Sequence, residues 1–413
     1  MLQCHGWKTR LVRMLAAALA VLCLFPSLCP LEAAAEAAPG VLPLKQGDKG
    51  PEVRQVKEQL KALRYTRAQK LNALYNEDCE KLVRQFQELN GLPVTGEVDE
   101  ATWNRLFAGD AVKYPYPTMP PLASPEPTPV PDWPERDEEG FLAGSGEYWY
   151  ENDEGGLWIY LSPTLSVTVT RRRDGKIPLE WFETDIRTRG DEALRTVATN
   201  PKKPGTNFKF PYVIAREENF VLGFSDDFYG LRIHDGSTVG IILREGEIIR
   251  EKTNKSRGFR LPNLDVMAQF PDGTLKVFEC NEKTAQELRD MGAVNVFSFG
   301  PILIRNGQID NLVYDHFKSL EPRQALGMIA PNHFFLLSVQ GRNSDSRGCP
   351  LQRVAEIMQA HGVTEALNLD GGNTMALIFR GRMLNKLAVY KKRKFVRSLT
   401  SLIGIGHSEI PDR

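Results

Sequence analysis

Proline crowds one short stretch of this chain and limits how the rest can fold. Nine prolines fall between Pro115 and Pro134 in a sequence of 413 residues. Proline fixes φ and has no backbone N–H to donate, so the stretch favours extended polyproline II, with a flexible tether as the alternative. Both forms predict a linker, which we place at residues 109–139, between units that fold separately.

The first 38 residues have the pattern of an export signal. Lys8, Arg10 and Arg13 form a basic start, an apolar run extends from Met14 to Phe25, and alanines at 33–38 offer cleavage sites. The apolar run is shorter than the ~18 residues typical of a membrane span. We expect a cleaved signal, a secreted protein in the cell wall or extracellular space, and no transmembrane segment after cleavage. An uncleaved anchor is the alternative.

Charge and cysteine content argue against several classes of protein. The chain has 52 Lys and Arg residues and 52 Asp and Glu residues, so it carries no overall positive charge that would attract nucleic acid. The six His residues are scattered and no cysteine spacing fits zinc, so we predict neither a metal nor a cofactor. After signal removal three cysteines remain, and Cys280 and Cys349 are the only pair within one predicted domain that could form a disulfide. The alternatives are free thiols or pairing between chains.

Residues 42–108 predict a small helical module. Val53, Val56 and Leu60 recur at helical spacing, a second apolar set follows at 82–89, and Asp99 suits the cap of a third helix. The module resembles the peptidoglycan-binding domain 1 family through core and turn residues that include Gly47, Gly50, Tyr65, Tyr75, Gln87, Gly96, Asp99 and Trp103. The resemblance implies peptidoglycan as a partner; a purely structural three-helix unit is the alternative.

The pattern of residues 140–407 predicts one larger α+β domain that is rich in short strands. Turn dipeptides separate the predicted strands, which lie at 157–160, 165–169, 239–243, 266–270 and 334–339. Helices are predicted at 284–291 and 350–361. The domain has no Gly-rich phosphate loop, no Gly-x-Ser-x-Gly elbow and no His-Glu-x-x-His, which argues against common nucleotide enzymes and hydrolases.

The clearest local signal is the run from Leu367 to Leu377. Asp370 ends an apolar stretch and is followed by Gly371 and Gly372. An acid at a strand end beside open backbone is a common way to build a site, because glycine lets a ligand approach the main chain. A simple Asp-Gly hairpin turn is the alternative.

In a wider context this domain resembles the phosphodiester glycosidase family, in its bacterial exopolysaccharide biosynthesis branch. Matching motifs occur in family order: Val239-Gly240-Ile241-Ile242, Asp272-Gly273, Ser298-Phe299-Gly300-Pro301, Pro322-Arg323, Gly341-Arg342, Ser346-Arg347-Gly348, Asn368-Leu369-Asp370-Gly371-Gly372-Asn373 and Asn385. Together with the helical module and the linker, the fold class predicted for the chain is α+β: a small three-helix module, a proline-rich linker and a larger mixed α/β domain similar to this family. The resemblance also implies cleavage of the bond between an anomeric carbon and a phosphate oxygen.

The resemblance assigns roles to individual residues. Asp370 and Asp227 are the predicted catalytic carboxylates, and the predicted substrate-binding residues are Arg323, Arg342, Ser346, Asn368, Gly371, Gly372, Asn373 and Thr374. A phosphate leaving group needs little general acid, so arginine forks facing phosphate matter more than a second acid. The alternatives are structural: surface arginines, and a turn held by Asp370, Asn373 and Thr374.

Several positions depart from the family pattern. Ser225-Asp226-Asp227 replaces Asn-Gly-Asp, Gln324 follows Arg323 in place of Thr, Gln340 precedes Gly341 in place of Asp, and Ser401 replaces Asp. We predict a secreted, wall-associated hydrolase of a sugar-1-phosphodiester in an envelope glycan or glycoconjugate, with a glycosyl phosphodiester or polysaccharide as substrate. A non-catalytic carbohydrate-binding or scaffold protein and a peptidoglycan lytic enzyme are the alternatives.

Overall fold

The computed structural model describes residues 41–66, 68, 71–115, 119, 133–234, 239–251, 253 and 255–409. The chain divides into two compact units after Pro115. The predicted export signal and most of the predicted linker lie outside the described residues. Within the described part, each helix is too short or too polar to cross a membrane.

The first unit contains three helices, α1 (Pro51–Ala62), α2 (Glu77–Leu89) and α3 (Glu100–Leu106). The side chain of Asn76 caps α2, and Asp99 caps α3 by accepting a 2.8 Å hydrogen bond from the Thr102 amide. The predicted helices and the predicted cap at Asp99 are confirmed. One apolar cluster joins the three helices, with Val56, Leu60, Phe86, Trp103 and Leu106 among its members.

The second unit is a mixed helix and strand domain, so the predicted α+β class is confirmed. Its helices are α4 (Pro211–Glu217), α5 (Tyr229–His234), α6 (Ala285–Asp290), α7 (Leu312–Asp315) and α8 (Leu351–Ala360). Its strands are β1 (Tyr148–Asn152), β2 (Leu157–Leu161), β3 (Leu165–Arg173), β4 (Glu180–Thr188), β5 (Arg195–Ala198), β6 (Leu222–Phe224), β7 (Ile242–Arg244), β8 (Glu247–Arg250), β9 (Val266–Gln269), β10 (Leu275–Phe278), β11 (Asn295–Ser298), β12 (Ile302–Arg305), β13 (Gln308–Ile309), β14 (Arg323–Ala330), β15 (His333–Val339), β16 (Glu365–Leu369), β17 (Leu377–Phe379), β18 (Arg382–Met383), β19 (Val389–Tyr390), β20 (Arg393–Lys394) and β21 (Ser401–Ile405).

Three sheets organise these strands. The largest has the order β1-β2-β3-β4-β15-β14-β16-β12-β13, and two five-stranded sheets have the orders β10-β9-β11-β7-β8 and β18-β17-β6-β21-β5. β19 and β20 form a separate two-stranded hairpin. Neighbouring strands pair antiparallel throughout the large sheet.

The large sheet is covered on both faces. Along β15, Phe334 and Leu336 pack into a core shared with both smaller sheets, whereas Phe335 and Leu337 face a second core that contains α8. This alternation follows from the two-residue period of a strand, and burial of both faces explains why β15 is nearly all apolar. The sheet is therefore a rigid base for the loops at its edges.

The strand predictions hold with one exception. The strands predicted at 157–160, 165–169, 266–270 and 334–339 and the helices at 284–291 and 350–361 correspond to observed elements within a few residues. The strand predicted at 239–243 is wrong at its start, because β7 begins at Ile242, where pairing with β8 begins. Cys79, Cys280 and Cys349 are free and buried, so the Cys280–Cys349 bridge does not form.

Candidate active site

Three strands of the large sheet bring the main sequence motifs to one edge. In the antiparallel pairing, the first residue of β14, Arg323, lies opposite the last residue of β15, Val339. The last residue of β16, Leu369, lies opposite Gln324. The segments 340–342 and 370–373 therefore leave the sheet beside the segment that enters at Arg323.

A cavity of about 410 Å³ opens at this edge. Its polar lining consists of two carboxylates, four arginines and several amide, hydroxyl and backbone groups. The charged lining residues are Asp370, Glu321, Arg232, Arg323, Arg342 and Arg397. Aromatic and aliphatic side chains complete the wall, among them Phe228, Leu261, Phe299 and Tyr390. Four cations against two anions favour an anionic ligand.

Asp370 lies on the cavity wall just after β16. Burial raises the pKa of this carboxyl to about 6 and outweighs the opposing effects of its hydrogen bond with Thr374 and of the Arg397 and Arg232 charges. Asp227 adds a smaller upward effect. A carboxylate with a pKa near 6 is ionised at neutral pH and still basic enough to accept a proton.

Arg342 and Glu321 act as a pair on the same wall. Arg342 Nε donates to Glu321 Oε2 at 2.6 Å, and Arg342 Nη1 donates to Asn373 Oδ1 at 3.2 Å. The guanidinium also lies over the Tyr390 ring at 5.8 Å. These contacts fix the plane of the guanidinium, as bidentate phosphate binding requires.

Arg323 is held more deeply than Arg342. Its Nε donates to the Cys349 carbonyl at 3.2 Å, and its Nη2 donates to the Ser319 carbonyl at 3.0 Å. Burial lowers the pKa of Arg323. Arg323 lines the cavity, but much of its hydrogen-bonding capacity holds the surrounding loops together.

Asn368 offers an acceptor to a ligand. Its side chain is 1% exposed, and its Nδ2 donates to the Gly300 carbonyl at 2.8 Å, which orients the amide. Its Oδ1 is buried and has no hydrogen-bond partner among the described residues. A buried acceptor without a partner is costly in an empty site, so a donor such as a sugar hydroxyl would compensate that cost.

The other predicted substrate residues divide into two groups. Gly371, Gly372 and Asn373 line the cavity. Gly372 has φ +59° and its amide donates to the Pro322 carbonyl at 3.0 Å. Thr374 is fully buried behind this loop, where it hydrogen-bonds Asp370. It therefore positions the carboxylate and is not part of the cavity lining.

Ser346, which was predicted to bind substrate, lies away from the cavity lining. Its hydroxyl donates to the Gln340 carbonyl at 2.6 Å and accepts from the Glu180 and Gly348 amides. Because these contacts saturate a fully buried hydroxyl, Ser346 shapes the loop that carries Arg342 and does not face a ligand.

Asp227 also differs from its predicted place. It is fully buried, its Oδ1 accepts from Arg244 Nη2 at 2.7 Å, and its Oδ2 accepts from the Ser298 amide at 2.8 Å. Its Oδ2 lies 3.8 Å from Nη2 of the cavity-lining Arg232. Asp227 thus acts on the cavity through Arg232 and is absent from the wall itself.

Asp226 belongs to the same buried cluster. It accepts hydrogen bonds from the Phe228 amide at 2.8 Å and from the Ser401 hydroxyl. Burial and the neighbouring Asp227 raise the pKa of Asp226 to about 6. The Ser401 position, where the family pattern has Asp, therefore faces a carboxylate supplied by residue 226.

Sequence reasoning missed two charged residues of the site. Glu321 precedes the Pro322-Arg323 motif, and Arg232 lies on α5, between Asp227 and the motif that begins at Val239. Arg397 also lines the cavity, and its Nη1 donates to Thr374 Oγ1 at 3.4 Å. No local spacing marks Arg232, because only the tertiary fold brings α5 to the Asp370 loop. In the described part of the chain, no group of three or more His, Cys, Asp or Glu side chains is arranged to hold a metal ion.

Comparison with known proteins agrees with this architecture. Residues 219–405 match the phosphodiester glycosidase family, and residues 49–106 match the peptidoglycan binding domain family. The chain thus contains a segment similar to the phosphodiester glycosidase family, preceded by one similar to the peptidoglycan-binding domain family.

Individual relatives are distant. The SPbeta prophage-derived uncharacterized protein YomE of Bacillus subtilis (strain 168) is 23% identical over 253 residues, which are 57% of this chain and 38% of that protein. The chain therefore spans well under half the length of this relative.

Two solved structures are similar to part of the chain. The zebrafish N-acetylglucosamine-1-phosphodiester alpha-N-acetylglucosaminidase catalytic domain, auto-inhibited by its pro-peptide, is 19% identical with a TM-score of 0.44, covering 60% of this chain and 84% of that one. A hypothetical protein from Synechocystis is 14% identical with a TM-score of 0.41, covering 59% and 62%.

Proposed function

We propose that the second unit hydrolyses a sugar-1-phosphodiester, splitting the bond between the anomeric carbon and a phosphate oxygen. The observation that carries the proposal is the cavity at the sheet edge, where the partly exposed carboxylate of Asp370 shares a wall with four arginines. A glycosidase for neutral glycans has no need of this cationic excess, whereas a phosphodiester brings a negative charge to match it.

Asp370 is the nucleophile or general base in this mechanism. As nucleophile it attacks the anomeric carbon while the phosphate leaves with the bonding electrons, and water then cleaves the glycosyl ester to release the sugar and restore the carboxylate. As base it takes the proton of a water molecule that attacks the anomeric carbon directly. Arg342 and Arg232 stabilise the charge on the departing phosphate. Since that phosphate is a good leaving group, the site does not need a strong general acid.

The sugar is placed beside Asn368 and the aromatic wall. Asn368 Oδ1 accepts from a sugar hydroxyl, and the rings of Phe228, Phe299 and Tyr390 offer apolar surface to a pyranose face. The first unit holds the enzyme on peptidoglycan, so the substrate is an envelope glycan or glycoconjugate. We further propose that the chain is exported and acts in the cell wall or outside the cell.

The test is an assay of the full chain on a panel of sugar 1-phosphate methyl diesters. Each diester is paired with the methyl glycoside of the same sugar, which lacks phosphate, and free reducing sugar is measured. Turnover of at least one diester and none of its glycoside partner supports the proposal. Turnover of the glycosides, or of peptidoglycan itself, would assign a plain glycosidase. Inactivity on the whole panel would favour a non-catalytic binding protein.

A further inference from the structure

Positive charge is concentrated near the end of the chain. Residues 371–408 contain eight Lys and Arg residues and no Asp or Glu, although the whole chain is balanced at 52 of each sign. Some of these cations have acidic partners elsewhere: Arg382 pairs with Glu151 and Asp153, and Lys386 pairs with Asp345. Once these paired cations are set aside, most of the remaining positive charge lies within residues 391–394.

Four of these cations lie on one short hairpin, formed by β19, a turn and β20 and called here the basic hairpin (residues 389–394). Lys391, Lys392, Arg393 and Lys394 are all exposed. None of them makes an ion pair with a described residue. Lys391 lies over the Tyr390 ring at 5.5 Å, which leaves its charge accessible to solvent.

The loop that carries Asp370 holds this hairpin at the cavity. Asn373 Nδ2 donates to the Ala388 carbonyl at 2.7 Å and to the Phe395 carbonyl at 2.9 Å, so one amide grips both ends. The Val389 amide donates to the Arg342 carbonyl at 2.9 Å. Tyr390, next to the basic turn, lines the cavity. The four exposed cations thus begin where the cavity ends.

The turn itself does not favour lysine. Lys391 and Lys392 have φ values of +47° and +65°, the left-handed region that two-residue hairpin turns require and that Asn-Gly occupies with less strain. Two lysines in consecutive strained positions need a reason other than turn geometry. Their charge supplies one.

We propose that the basic hairpin binds the phosphates of a polymer that continues beyond the repeat in the cavity. The substrate is then a chain of glycosyl phosphate repeats, and an isolated sugar phosphate diester is a poor mimic of it. This inference rests on the proposed function, because it extends the same site. One phosphodiester carries a single negative charge, which the cavity arginines already match. Four further cations need further anions, and a repeating phosphate chain supplies them at regular intervals.

The experiment compares two substrates in the full-length protein. One is a chemically made oligomer of N-acetylglucosamine 1-phosphate, and the other is the single-repeat methyl diester. The variant replaces Lys391, Lys392, Arg393 and Lys394 with Gln. The control variant replaces four exposed lysines that do not line the cavity, Lys176, Lys202, Lys203 and Lys276, with Gln. We expect the hairpin variant to raise the ratio of oligomer KM to single-repeat KM about tenfold, with a shallower salt dependence, and the control variant to leave that ratio unchanged.

Binding measured without turnover separates this inference from the proposed function. In the Asp370→Asn background, fluorescence anisotropy with labelled oligomer reports affinity, and polygalacturonate and dextran are the competitors. Loss of oligomer affinity in the hairpin variant, with weak competition by polygalacturonate, supports the inference. Equal affinity in hairpin variant and parent, or equal competition by polygalacturonate, overturns it. Hairpin-dependent binding with no turnover of either substrate by the parent overturns the proposed function alone.

Discussion

The fold desolvates the Asp370 carboxylate without placing an arginine or lysine within ion-pair distance among the described residues. Burial is the largest cause of its raised pKa, and the arginines around it only partly offset that effect. Such a group costs stability in exchange for reactivity, a common feature of catalytic residues. Two predictions follow from this position.

The first prediction concerns turnover. Asp370→Asn keeps the size of the side chain and removes the group that attacks or accepts a proton, so turnover of a sugar 1-phosphate diester falls roughly 100-fold or more. Because the parent needs the ionised form, its kcat/KM rises with pH through an apparent pKa of about 6. Steady-state rates across the pH range test both points. Full activity of the Asn variant would remove Asp370 from the mechanism.

The second prediction concerns stability. The folded pKa of about 6 lies above the ordinary value of 3.8, so the folded state binds the proton more tightly than the unfolded state. The parent therefore loses stability as pH rises between these two values, by about 3 kcal/mol in all. Asp370→Asn lacks this loss, so its Tm advantage is small near pH 4 and reaches roughly 5 °C above pH 7. Calorimetry across pH measures it, and a pH-independent difference would contradict the assignment.

At the scale of elements, the site depends on how closely the Asp370 loop approaches the start of β14. A Cβ at Gly371 would overlap the Pro322 carbonyl oxygen. The Gly372 amide bonds that same carbonyl at 3.0 Å. The two glycines thus let one loop lie directly on another and place Asp370 beside Arg323.

The third prediction uses this contact. Gly371→Ala forces the two loops apart, lowers kcat/KM by roughly tenfold or more and costs about 1 to 3 kcal/mol of stability. Gly144→Ala is the matched control, because a Cβ there meets nothing within 4 Å and its φ is not in the left-handed region. Equal, small effects in both variants would show that the close approach is unimportant.

The fourth prediction concerns the buried ion cluster behind the cavity. Arg244 is the partner of Asp227 at 2.7 Å and lies 4.0 Å from Asp226. Arg244→Gln leaves buried carboxylates without this charge, so it destabilises the protein by about 3 to 5 kcal/mol. The loss is smaller at acid pH, where protonation of Asp226, whose pKa is raised to about 6, relieves the repulsion. Urea unfolding at two pH values checks it, and a loss that grows at acid pH would argue against this reading of the cluster.

At the scale of the whole molecule, the chain folds as two compact units. The first is a three-helix module with its own apolar core, and the second contains the cavity and the basic hairpin. Each unit buries enough apolar surface to form an independent core, as separate domains do. We therefore expect wall attachment and catalysis to be separable.

The fifth prediction tests that separation. A fragment of residues 41–115 binds purified peptidoglycan and sediments with it, because the match to the wall-binding family lies entirely within this unit. The second unit alone stays in the supernatant. Sedimentation of only the second unit would assign wall attachment to the larger domain.

The export signal is tested separately. N-terminal sequencing of the exported protein should give a chain that starts near residues 35–38.

Local sequence determined the elements that depend on near neighbours. Helical spacing and the Asp99 cap identified the first unit, α8 appeared within a residue of its predicted start and end, and the Asp370-Gly371-Gly372 run was placed at a strand end. These features depend on periodicity, capping and turn chemistry, which act over a few residues. The family motifs added Arg323, Arg342 and Asn373 at the same edge.

Tertiary structure alone decided what each of these groups can do. The fold brought Arg232 on α5 to the cavity beside Asp370, placed Asp227 in an ion pair with Arg244, and used the Ser346 hydroxyl to hold its own loop. It also set the raised pKa of Asp370, because desolvation depends on every chain segment packed around a carboxylate. Contacts between residues far apart in sequence carry the chemistry of this site, and only the packed sheets bring them together.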